Sequence, residues 1–375
     1  MTKKIGILTA GGDSPGLNAV LRGVGKAAHA MYGMEVIGFQ DGFSGMLDLR
    51  TVDLEGSILS NILTAGGTIL GTSRDRPQQM RGKDGQMQDK TAEIIQTYCS
   101  LSLDALVCLG GSDAQESACH LMHNGLNVIT LPVTIDNDLV ETNTSVGFDT
   151  ALGVAAEAID RLHTTASSVH RIIIVEIMGK QTGWLTLGAG VAGGADVILI
   201  PELPYDEQSI LKAILERNQA GKRFSMLAVS EGAVSKDTIE FFEKAKKTNE
   251  RLRSGSDQEK VASRLQQIER HSGGATIHLA SQLEKLTGME ARITILGYLQ
   301  RGGTPSATDR VLATQLGTAC AAAIHSGKFG VMLGVHGANL IEPVPLEKVA
   351  GKFKTVPLDH PWIHGARMVG TNLGD

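Results

Sequence analysis

Short apolar runs, separated by stretches of helical period, recur along almost the whole chain. No other feature constrains the fold as much. KIGILTA reads as a strand, GLNAVLRGVGKAAHAMY follows with helical spacing, and MEVIGFQ is a strand again. ALVCLG, NVITLPVT, RIIIVEIMG, DVILIPE, FSMLAVSEG, EARITILGYLQ and FGVMLGV continue the series. Runs rich in Val, Ile and Leu without polar alternation belong to parallel sheets covered on both faces. The helices between them supply the crossovers. The expected class is therefore α/β, with doubly wound, Rossmann-like domains of largely parallel sheet. A chain of 375 residues exceeds one ordinary core and suits two such domains. Ligands of such sheets bind beyond the carboxyl ends of the strands.

Composition narrows the partners. A net charge of −5 argues against nucleic acid, which needs a basic surface. An anionic ligand must then be met by local arginines. No apolar run approaches the roughly 20 residues of a membrane span. The opening MTKKIGILTAGGD turns polar too soon for a signal peptide, so a cytoplasmic location is expected. Cys99, Cys108, Cys119 and Cys320 form no CxxC pair and read as buried free thiols. Residues 237–274 are highly charged and read as a solvated excursion on the second domain. The final TVPLDHPWIHGARMVGTNLGD is weakly patterned, either a mobile tail or a docking segment.

Four strand ends carry the chemistry. In LTAGGDSPGLNAV a strand runs into Gly11 and Gly12, and Asp13, Ser14 and Pro15 open a helix. Bare amides at a helix start cradle anions, although Asp13 or Ser14 serves equally as a plain N-cap. AGGTILGTSRDRP places Arg74 and Arg76 after a glycine turn, where a guanidinium suits phosphate oxygens; alone, the pair reads as a solvated loop. LVCLGGSDAQESA runs a strand into Gly110 and Gly111, with Ser112 and Asp113 opening a helix. LPVTIDNDLV sets Thr134, Asp136 and Asp138 at alternate positions, so an extended backbone aims all three one way. Two converging carboxylates suit a metal and a general base. A donor cradle, a divalent cation and a base are what phosphoryl transfer requires.

These residues resemble the phosphofructokinase family. The motifs GILTAGGDSPGLNAV, GGTILGTSR, PVTIDND, VEIMGKQTGWL and LGYLQRGGTPSATDR occur in the family's order along nearly the whole chain. The resemblance implies Mg²⁺-dependent phosphorylation of fructose 6-phosphate at its 1-hydroxyl, giving fructose 1,6-bisphosphate in glycolysis. It implies Asp136 as general base, Asp138 at Mg²⁺, and Thr134 at the transferring phosphoryl group. Gly11, Gly110, Gly111, Ser112 and Asp113 would line the donor site, and Arg74 would bridge donor phosphates. Met178, Gly179 and Glu231 match fructose contacts; Arg171, Arg292, Tyr298 and Arg301 match holders of the 6-phosphate. Arg171 and Arg292 reach across from a neighbouring subunit in this family, so a homodimer or homotetramer is implied. Read singly, Arg171 is a strand-end anchor, Glu231 a turn cap and Tyr298 plain core; the ordered set reverses that reading.

Several positions depart from the family pattern. Ser112 stands where an acid is usual, which leaves Asp113 to take over the metal role. Asp113 itself marks pyrophosphate users, whereas Val133 offers neither the Lys of pyrophosphate users nor the Gly of many ATP users. The donor stays open between pyrophosphate and ATP, tipped toward pyrophosphate. Lys180, placed with the catalytic group, stands where Arg is common and keeps charge without the bidentate fork. Tyr298 replaces a frequent His. The missing acid also permits a catalytically weak or silent relative that binds sugar phosphate and regulates a partner. The expected division is a donor domain, residues 1–147 with 301–350, facing across a cleft a sugar-phosphate domain, residues 148–300 with 351–375.

Overall fold

A strand that is apolar on both faces needs two covers, and the protein supplies them twice. The computed structural model describes residues 2–82, 85–241, 274–337 and 340–375. The charged stretch expected as a solvated excursion falls mostly at 242–273, outside the described residues. The strands are β1 (Lys4–Ala10), β2 (Glu35–Phe39), β3 (Thr51–Asp53), β4 (Met80–Arg81), β5 (Met87–Gln88), β6 (Ala105–Gly110) and β7 (Val128–Pro132). They continue with β8 (Ile172–Ile177), β9 (Val197–Leu199), β10 (Ser225–Ser230), β11 (Ala291–Ile295), β12 (Val331–His336) and β13 (Leu340–Pro345). The chain divides into two units, Met1–Ala151 with Arg301–Lys354, and Leu152–Gln300 with Thr355–Asp375.

The first unit holds a seven-stranded sheet of order β13-β12-β7-β6-β1-β2-β3. The five inner strands are mutually parallel, and β3 and β13 pair antiparallel at the two edges. Ile5, Ile7, Val107, Leu109, Ile129 and Leu131 turn to one face, under the helices Leu17–Tyr32 and Ala307–His325. Leu8, Ala10, Leu106, Cys108 and Val128 turn to the other, under Thr91–Ser100 and Ser112–His123. Since successive strand residues point to opposite faces, a continuous apolar run fills both layers. The chain winds from β1 to β2 on one side, then returns to β6 on the other. The carboxyl ends of β1 and β6 therefore flank a topological switch point, where such sheets bind ligands.

The second unit holds a four-stranded, fully parallel sheet of order β11-β8-β10-β9. Ile172, Ile174, Leu199, Leu227 and Val229 pack on Ile210 and Ile214 of Glu207–Gln219 and on Leu279 and Leu283 of Ala275–Thr287. The C-terminal stretch is a docked tail. Its helix Pro361–Met368 lies on Trp184–Ala192, where Trp362 meets Trp184 at a centroid distance of 6.2 Å. Asn372 then bridges in parallel to Val197. Cys108, Cys119 and Cys320 are buried free thiols as expected, but Cys99 is exposed at the end of its helix. Among the described residues no helix is long and apolar enough to cross a membrane.

Candidate active site

Backbone hydrogen bonds join the four strand ends in two pairs. The loop Gly71–Ser73 is sewn onto the end of β1: Gly11 N–H donates to Ser73 O at 2.8 Å, and the Thr72 hydroxyl donates to Gly11 O at 3.0 Å. Thr9 Oγ1 donates back to Gly71 O. Arg74, next in sequence, is thus delivered to the switch point. Val133 N–H donates to Gly110 O at 3.2 Å, and Thr134 N–H to Val146 O at 3.1 Å, which sets the end of β7 beside the end of β6. A Cβ on Gly110 would stand 2.1 Å from Ala10 O, so only glycine lets β1 and β6 approach this closely.

The result is a polar pocket lined by Gly12, Asp13, Arg74, Gly111, Ser112, Asp113, Val133, Thr134, Ile135, Asp136, Asp138 and Arg301. Gly11 and Gly110 lie one residue behind this lining. Thr134, Asp136 and Asp138 do meet the same space, but not along an extended strand. β7 ends at Pro132, Thr134 Oγ1 accepts from Asp136 N–H at 3.2 Å, and Asn137 adopts a left-handed φ of 50°. A turn, rather than alternation, aims the two acids. The first helix starts later than Asp13–Pro15: it begins at Leu17 with Gly16 as N-cap, leaving residues 11–15 as open loop. Ser112 and Asp113 do open a helix, with Gly111 as N-cap.

Charge is unevenly neutralised in this pocket. Arg76 pairs with Asp113 and, at 2.7 Å, with Glu116. The expected metal role of Asp113 thus meets a carboxylate already held by a guanidinium. Arg301 lies 3.3 Å from Asp13, beside the β1 loop of the first unit. Arg74 forms no ion pair among the described residues. Asp138 is buried, and among the described residues its Oδ1 has no hydrogen-bond partner. Burial, with repulsion from Asp136, pushes its carboxyl up to about 7 against the pull of Lys354. Burial also lowers Lys354 to about 8. A buried, orphaned carboxylate oxygen is costly unless a cation meets it. Mg²⁺ needs only one or two carboxylates when substrate phosphates and water complete its shell. The residues present fit that ion. Among the described residues no three metal-ligating side chains cluster.

In the second unit, Met178, Gly179 and Lys180 follow β8, and Glu231 follows β10, at the carboxyl edge of the sheet. The Ser230 hydroxyl donates to Gly179 O at 2.6 Å, and Lys180 Nζ lies 3.4 Å from Glu231. A Cβ on Gly232 would fall 2.0 Å from Lys180 O, so glycine allows these two loops to meet. Arg171 precedes β8, and Arg292 pairs in register with Ile173, so both arginines sit at the opposite edge. Glu290 holds both guanidinium groups. Tyr298 is on the turn Gly297–Arg301 and is 74% exposed rather than core. Sequence reasoning missed the Arg76 pairing and Lys354; the former had a signal in the SRDR doublet, the latter none.

The phosphofructokinase family model matches residues 4–324. An ATP-dependent 6-phosphofructokinase of Propionibacterium freudenreichii is 52% identical over 375 residues, covering 100% of both chains. Another from Spirochaeta thermophila is 46% identical, covering 100% of this chain and 98% of its own. The crystal structure of a pyrophosphate-dependent phosphofructokinase from Marinobacter aquaeolei superposes with a TM-score of 0.77. It covers 99% of this chain and 88% of its own, at 21% identity, and so speaks to the fold alone.

Proposed function

The chain belongs to the phosphofructokinase family, a family of phosphotransferases, and on that footing we propose that it transfers the γ-phosphoryl group of ATP to the 1-hydroxyl of fructose 6-phosphate. The observation that carries this reading is the single pocket where Arg74, Thr134, Asp136 and Asp138 meet the amide-bearing loops after β1 and β6. In it Asp136 takes the proton of the attacking hydroxyl. Thr134 and the Gly11–Gly12 and Gly111 amides contact the transferring group and donor phosphates, and Arg74 spans those phosphates. Asp138 would hold Mg²⁺, which would neutralise phosphate charge when bound. Met178, Gly179, Lys180 and Glu231 form the sugar side, with Tyr298 and Arg301 toward the 6-phosphate. The first unit then serves the donor and the second the sugar phosphate.

Three features support ATP over the pyrophosphate read from Asp113. The relatives at 52% and 46% identity are both named as ATP-dependent. Asp113 is also turned to Arg76, which cancels the carboxylate charge that would repel a third phosphate. Val133, 1% exposed and apolar, offers no cation to hold pyrophosphate. The test incubates purified protein with Mg²⁺ and fructose 6-phosphate, plus ATP or pyrophosphate, and measures fructose 1,6-bisphosphate. ATP is expected to support turnover and pyrophosphate little; faster turnover with pyrophosphate reverses the donor assignment. No turnover with either, alongside sugar-phosphate binding, would identify a silent relative. Asp136→Ala is expected to lower kcat by about 10²–10⁴ with sugar binding retained.

A further inference from the structure

The loop that carries Asp136 and Asp138 has no regular structure of its own, so something else must fix its shape. Its two ends are tied to each other and to the sheet. Ser145 Oγ donates to Thr134 O at 2.7 Å, and Asn143 N–H donates to Val335 O at 2.7 Å. Its apex is tied by Lys354, 217 positions from Asn137. The backbone N–H of Lys354 donates to Asp138 O at 2.7 Å. Its ammonium donates to Asn137 Oδ1 at 2.9 Å, Thr142 O at 2.9 Å and Asn143 O at 3.1 Å. An ammonium has three donors, and all three have an acceptor on this one loop. Asn137, between the two acids, is the residue in the left-handed region, with φ 50°. Such a conformation in a non-glycine residue persists only where its surroundings impose it. Lys354 grips the side chain of that residue and the backbone of the next.

We infer that Lys354 is a positioning residue for phosphoryl transfer: it clamps the 137–143 loop so that Asp136 and Asp138 stay on the pocket wall. The inference rests on the roles proposed for those two acids. Lys354 does not line the pocket, so it acts through the loop. Its cation also lies where it offsets the charge of Asp138. A misplacement near 1 Å is enough to cost about 10²-fold in rate.

The test is steady-state kinetics on folded variants. Lys354→Met keeps the length of the arm and removes the ammonium. It should lower kcat about 10²-fold while KM for fructose 6-phosphate stays within about twofold, because the loss falls on the reacting geometry and not on sugar binding. Lys354→Arg, which returns a cation and donors, should recover part of the loss. If circular dichroism shows Lys354→Met unfolded, Asn137→Gly carries the test. Glycine adopts the same φ freely and removes one ammonium acceptor, and the same split between kcat and KM is expected. Wild-type kcat in either folded variant, or a change confined to KM, overturns the inference. An inactive wild type with both donors sinks the functional reading itself; an active wild type beside an active Lys354→Met sinks only the clamp.

Discussion

Asp138 shows how one carboxyl couples stability to function. Its folded-state value is pushed up to about 7 from an ordinary 3.8, chiefly by burial. Between those values the folded protein binds more protons at this site than the unfolded chain does. Stability contributed by this group is therefore full below about pH 4 and is lost as pH rises through 7. Above that pH the ionised, buried group costs on the order of a few kcal/mol. Lys354 behaves oppositely: its value falls from 10.5 to about 8, so its cost is present below 8 and is relieved toward 10.5. In chelator, Asp138→Asn should melt above wild type at pH 8, with the advantage shrinking toward pH 4. Added Mg²⁺ should raise the wild-type Tm and leave the variant's unchanged. Thermal melts at both pH values check this, and an advantage equal at pH 4 and pH 8 would refute it. The two acids were legible in sequence because they are neighbours at a strand mouth. The clamp and the Arg76–Asp113 pair were not, because each joins segments that only the folded sheet brings together.

Among the elements, the helices Leu17–Tyr32 and Ala307–His325 meet at their closest through glycine. A Cβ on Gly317 would fall 2.5 Å from the carbonyl carbon of Gly23 and from Val24 N, and both are backbone atoms that cannot swing aside. Each glycine inside a helix costs about 1 kcal/mol relative to alanine, so the close packing offsets an unfavourable local choice. Gly317→Val should therefore destabilise by overpacking, by about 1–3 kcal/mol or more. A lower urea midpoint with an unchanged m-value would report it, and a wild-type midpoint would show that the helices can part at no cost. The inner strands were readable from their Val, Ile and Leu runs, since a strand covered on both faces carries its burial in its composition. The antiparallel edges were not. β13 reads LIEPVP, whose Pro343 and Pro345 suit an edge and look like a loop in sequence. β3 is the three residues TVD, too short for any period. The start of the first helix slipped from Asp13 to Leu17 because glycine, not a polar side chain, occupies the N-cap.

At the scale of the whole molecule, the second unit's sheet separates residues that the proposed reaction needs together. Met178, Gly179 and Glu231 sit at its carboxyl edge, while Arg171 and Arg292 sit at its amino edge, paired with Glu290. Arg171 and Met178 are seven residues apart across β8, or about 23 Å at a strand's rise. Neither arginine arm bridges that length, so one chain cannot close both sets on one hexose phosphate. A second copy, were it to present its amino edge to the first copy's carboxyl edge, would. The consequence is complementation between two defective proteins. Asp136→Ala lacks the proposed base but keeps its arginines; Arg292→Ala keeps that base and lacks one proposed phosphate contact. Alone, the first should have little turnover and the second a raised KM for fructose 6-phosphate. Dissociated and reassembled in equal amounts, they form hybrids in which one site takes its base from one parent and its arginines from the other. Random assortment of an isologous dimer then restores about a quarter of the wild-type sites. Recovery of turnover at low fructose 6-phosphate would show the site to be shared between subunits. Activity no greater than the average of the two parents would return Arg171 and Arg292 to their plainer role as strand-end anchors on Glu290.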